Sequence, residues 1–123
     1  MIDVTESVVL IAQNLPIFGG RVYRSYPNLT PESPYAIVTP TGRMVLQADD
    51  DGSELSAMLT FSIDIGAVTV TLLDEAVSQL TDALAHYNIQ NNAYTPAYDD
   101  RYNEFTATVS YSVVVDHRGL TFR

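Results

Sequence analysis

The chain has 123 residues, no Cys, no Lys, six Arg and fifteen acidic residues, giving a formal net charge of −9. That length predicts a single domain, residues 1–123, whose core needs neither disulfide nor metal. The missing Cys excludes a disulfide framework, a thiolate metal site and a cysteine nucleophile, and the acidic balance argues against a phosphate-gripping nucleic-acid surface.

The opening Met-Ile-Asp-Val-Thr-Glu lacks the basic start of a signal peptide, and the longest apolar run is too short to span a bilayer, so the expectation is a soluble chain without a membrane partner. Asp3 followed by Glu6 has capping-box spacing, and Val4, Val8, Ile11, Ala12 and Leu15 recur at helical intervals. A first helix over about Val4 to Leu15 follows, ended by Pro16 and the Gly19-Gly20 pair. Val22 to Ser25 reads as a short strand. Pro27, Pro31 and Pro34 stiffen the next loop into a fixed arm, and Tyr35 to Thr39 and Arg43 to Gln47 are two extended runs. The acidic stretch Asp49-Asp50-Asp51-Gly52-Ser53-Glu54 then reads as a loop between paired strands.

From Leu55 to Ala67 every odd position is apolar, while the even ones are Ser56, Met58, Thr60, Ser62, Asp64 and Gly66. A period of two predicts a strand with one buried face, and its length and lack of Pro make it central to a sheet. Thr71 to Tyr87 switches to helical spacing, with Leu73, Ala76, Val77, Leu80, Leu84 and Tyr87 on one stripe. Asn88 to Asn103 is polar, carries Tyr94, Tyr98, Tyr102 and Pro96, and reads as mostly loop with room for a short strand. Glu104 to Asp116 alternates again and is the natural antiparallel neighbour of the central strand. Asp116-His117-Arg118-Gly119 reads as a turn, and Leu120 to Phe122 as a short strand or arm. The order predicts an α+β fold, a mostly antiparallel sheet with two helices packed on one face. The second faces of both long strands carry Ser and Thr with Met58 and Val114, where a solvated face usually carries Lys, Glu and Arg. Two readings stay open, a modestly polar exposed face and a face or edge covered by a neighbouring subunit.

Catalytic and metal-binding patterns are sparse. Placing Gly52 sixth in an EF-hand loop puts Gln47 first and Met58 twelfth, where carboxylates are required, so the acidic run fails that motif and leaves a solvated turn or a looser oxygen-ligand site as its readings. His86 and His117 are too few for a zinc constellation without thiolates unless carboxylates join them. There is no G-x-S-x-G elbow, phosphate-binding Gly loop or dinucleotide fingerprint. Asp64 and Glu104 invite a carboxylate pair across adjacent strands, but both read more simply as surface residues. The expectation is therefore no enzyme, no cofactor and no catalytic or metal residue.

The order and texture of the elements resemble the tail-terminator, or tail-completion, proteins of long-tailed bacteriophages. The resemblance covers most of the chain and rests on the opening helix, RVYRSYPNLTPESPYAIVTPTG, the acidic hairpin, FSIDIGA, LLDEAVSQLTDAL and FTATVSYSVVVDHR. Head-to-tail connector proteins of the same viruses have similar size and texture. The resemblance implies a structural virion subunit forming a homo-oligomeric ring, commonly a hexamer, at the head-proximal end of the tail tube. There it would stop tube growth and offer the head-joining surface. Its implied partners are its own copies, the major tail tube protein and the head-tail connector. DNA passes through without specific binding, and the implied location is the tail neck of the virion, with the host cytoplasm during assembly. In that ring Asp49, Asp50, Asp51 and Glu54 are the candidates for a lumen-facing acidic loop, since like charge keeps passing DNA from sticking. A monomeric domain binding a small ligand or peptide is the rival reading.

Overall fold

The computed structural model describes residues 4–24, 33–48, 54–99 and 104–116, with only the backbone for 48, 54, 55 and 92–99. Within them the chain forms helix α1 (Thr5–Gln13), a short 3-10 turn (Pro16–Phe18), β1 (Val22–Tyr23), β2 (Tyr35–Ala48), β3 (Glu54–Ala67), α2 (Val70–Ala85), β4 (Gln90–Asp99) and β5 (Glu104–Asp116). The sheet order is β1-β2-β3-β5-β4, which places β3 in the middle as its uninterrupted alternation requires. All pairings are antiparallel except β1 with β2. The expected α+β architecture is the observed one.

The odd positions of β3 build the core. Ala57, Leu59, Phe61, Ile63, Ile65 and Ala67 are buried together with Val8 and Ala12 of α1 and Leu73, Ala76, Leu80 and Leu84 of α2. Both helices therefore cover one face. Phe61 stands opposite Tyr111 of β5, and their rings stack at 5.7 Å. The Tyr111 hydroxyl reaches back to Thr81 of α2 at 3.1 Å, giving the buried phenol a polar partner; burial still holds its pKa above the usual 10.0, against the smaller downward pull of that hydrogen bond.

The helix ends differ from the expected ones for local reasons. Val4, not Asp3, is the N-cap of α1, and it makes no side-chain capping bond. The Glu6 carboxylate accepts from Arg24 at 3.0 Å in an exposed pair. Thr69 caps α2, its hydroxyl oxygen accepting from the Leu72 amide at 3.1 Å, a contact of about 1 kcal/mol. At the other end Asn88 takes φ 64°, while the Asn88 amide donates to the Ala85 carbonyl and the Ile89 amide to that of Leu84. This left-handed closing turn, sealed by buried Ile89 and Leu84, sends the chain straight into β4. Gly19 (φ 54°) and Gly20 (φ 83°) make the expected reversal after α1.

Two strands are longer than the sequence reading allowed. Tyr35–Ala48 is one strand, not two runs, and its register shifts between Pro40 and Gly42. Beyond its pairing with β1 at Ala36 and Ile37, β2 lies at the sheet edge, where Pro is tolerated. Residues 90–99, read as mostly loop, form the ten-residue edge strand β4, which carries Pro96 for the same reason. Pro27, Pro31 and Tyr102 lie outside the described residues, as do His117 and the turn and arm expected around it. Pro34 is held by Arg21, whose Nε donates to the Pro34 carbonyl at 3.0 Å.

Candidate functional site

The acidic run that the sequence singled out is located only by its ends. Ala48 and Glu54 pair in register, so the run joins the β2–β3 hairpin. Asp49, Asp50 and Asp51 lie outside the described residues, and Glu54 is described through its backbone alone. The same holds for the side chains of Tyr94 and Tyr98.

Asp64 and Glu104 do not form a catalytic pair. Asp64 stands opposite Thr108, whose hydroxyl donates to it at 2.9 Å. Glu104 lies four residues along β5 from Thr108, about 13 Å away at strand rise. That exceeds the roughly 5 to 9.5 Å separation of glycosidase carboxylates. Glu104 is also no surface residue: it is buried, and its carboxylate accepts from the Tyr35 hydroxyl at 2.6 Å. This bond spans three strands, from the start of β2 over β3 to the start of β5. Gly66 makes the crossing feasible, because a Cβ there would run into the Tyr35 ring. A glycine inside a strand marks such a close approach, and that was the signal available in the sequence. His86 is exposed at the end of α2. Among the described residues no group of three or more His, Asp or Glu could hold a metal ion.

The described surface carries features of its own. On the even face of β3, Tyr35 and Ile37 of β2 are buried at one end, Ile37 to 1% exposure. Towards the hairpin the face opens. Met44, Met58 and Val114 form one row across β2, β3 and β5, with Met44 52% and Val114 60% exposed. The next row inward is Gly42, Thr60 and Ser112, uncharged like the first. Val45 and Leu46 add exposed apolar surface on β2. Between the start of α1 and the β2–β3 pair lies a cavity of about 320 Å³, walled by Val4, Pro40, Leu59 and Phe61, with Arg43 on its lining. Elsewhere, Val68 and Val70 stand exposed at the start of α2, with Asp74 exposed one turn further.

No protein-family profile matches the sequence, and neither does any curated protein. Among solved structures, the fold is similar to that of a chain in the virion of a native gene transfer agent particle, with TM-score 0.63 and 15% identity over 89% of this chain and 91% of that one. That neighbour is part of a virion. The match takes in nearly the whole of both chains, so the α+β sheet with its two helices is the shared unit. At 15% identity the likeness is one of fold.

Proposed function

We propose that the chain is a structural virion subunit, and more specifically a tail terminator that forms a ring on the head-proximal end of a phage tail tube. The observation that carries the reading is the end-to-end fold likeness to a virion chain. It agrees in kind with the tail-terminator resemblance of the sequence. Two features of the molecule support it. Its polar side chains serve folding, as Glu104 does for Tyr35 and Thr81 for Tyr111, and form no catalytic arrangement among the described residues. Its sheet also carries an uncharged row of Met and Val on the face without helices. In this reading the chain is no enzyme, works without a cofactor, and meets its own copies, the tube protein and a connector.

Gold-labelled antibody against the chain, viewed on intact particles by electron microscopy, tests this. A tail terminator places the label at the tail side of the head–tail junction and leaves it on tails from which heads have been removed. Label retained only on heads assigns the chain to the connector, and particles without label remove the virion reading.

A further inference from the structure

We propose that the segment after β5, residues 117–122, folds back within its own copy and lays Leu120 and Phe122 across the row of Met44, Met58 and Val114. That row is the open end of the sheet face without helices, with Met44 52% and Val114 60% exposed and Met58 half-buried between them. The row behind it, Gly42, Thr60 and Ser112, is uncharged as well. Two rows on three strands measure about 14 Å by 14 Å, on the order of 200 Å². A stable contact between two proteins covers roughly 800 Å² on each. The patch is thus too small to hold a second copy by itself and has the size of one short extended segment.

The chain supplies such a segment at the right place. β5 ends at Asp116, two residues and about 7 Å beyond Val114 on the same face. Residues 117–123, His-Arg-Gly-Leu-Thr-Phe-Arg, lie outside the described ones, and their sequence fits a return. Asp116 to Gly119 has the composition of a turn, with Asp first and Gly fourth. Leu120 and Phe122, two apart, share one side of an extended segment, and Thr121 takes the other. The row spans two strand spacings, about 10 Å from Val114 to Met44, and the six residues from Asp116 to Phe122 reach up to about 20 Å. The Phe122 ring thereby meets methionine thioethers, which are favourable partners for an aromatic edge. Charge favours the same closure: residues 117–123 carry Arg118, Arg123 and no acid, whereas all fifteen acidic residues and four of the six Arg precede them. Its own copy is the occupant because so short a tether keeps the segment near the row at about millimolar effective concentration. A partner that takes this face must first displace the segment.

The chain has no Trp, so Phe122→Trp and Thr121→Trp each add a single fluorescent reporter. Emission and acrylamide quenching are read on the full chain over a dilution series, with folding checked by circular dichroism. The Trp of Phe122→Trp is expected to emit to the blue of its value in urea and to resist quenching equally at every dilution. That of Thr121→Trp should be quenched freely. Adding Val114→Asp should shift the Phe122→Trp emission to the red and open it to quencher while the fold is kept; if that variant fails to fold, Met44→Asp takes its place. A Phe122→Trp reporter as open as in urea overturns the contact, and so does shielding that survives the Asp substitution in the row. Shielding that vanishes on dilution assigns the segment to another copy and overturns the closure within one chain. The contact is independent of the virion reading, which the labelling of particles decides.

Discussion

The two faces of β3 carry different kinds of information. On the odd face, Ala57 through Ala67 are all buried against α1 and α2, and every side chain is apolar. On the even face, Ser56, Met58, Thr60, Ser62 and Asp64 are only half-buried, and Gly66 is buried beneath Tyr35. The odd face is what makes the chain fold, because apolar burial supplies most of the driving force. The even face is divided, anchored at the Tyr35 end and open at the hairpin end, so the open end is free to vary without loss of the fold.

The sharpest way to break this comparison is Phe61→Ala, which removes a ring stacked on Tyr111 and should cost about 3 to 5 kcal/mol in urea unfolding. Ser62→Ala, one residue away on the other face, should stay within about 0.5 kcal/mol. Equal losses would mean that the faces carry equal weight. Ile37→Ala comes next, at about 2 to 4 kcal/mol, since Ile37 is buried on the even face in spite of its distance from the helices. A loss below 1 kcal/mol would show that this end of the face is not packed. Tyr35→Phe should cost about 1 to 3 kcal/mol, because it strips a donor from the buried Glu104 carboxylate. Replacing Glu104 by Gln in the same background should recover part of that loss, which thermal melting would detect.

A smaller effect follows from Tyr111. Its phenol ionises less readily in the folded chain than in the unfolded one, so above pH 10 the unfolded chain releases this proton first. The stabilisation is complete below the unfolded value and fades as pH rises through the folded one. Urea midpoints from pH 9 to 11 should therefore fall more steeply for wild type than for Tyr111→Phe. Parallel curves would show that the burial penalty is absent. The smallest effect belongs to Val114→Thr in the open row, expected within about 0.5 kcal/mol.

Much of this division was legible in the sequence. The alternation of β3 and β5, the α2 stripe and the central place of β3 follow from periodicity, which responds to burial on one face. Helix ends and edge strands were harder. Pro96 weighed towards a loop because the sequence does not show that β4 lies at the sheet edge, where proline costs little; β2 beyond Ile37, which carries Pro40, is the other such edge. Asn88 was a readable signal for a left-handed turn, yet only the Ile89–Leu84 closure shows that a strand starts directly behind it. Glu104 read as a surface residue because its partner Tyr35 is 69 positions away. The cavity by Arg43 joins the start of α1 to β2 and β3, and no local pattern announces a space made by three distant segments.

The most direct test of the structural role is the length of tail tubes polymerised from the major tail protein with and without this chain. The account predicts that substoichiometric amounts stop elongation and leave the chain bound at one end of each tube. Tubes that grow to the same length, with the chain left in the supernatant, would contradict it.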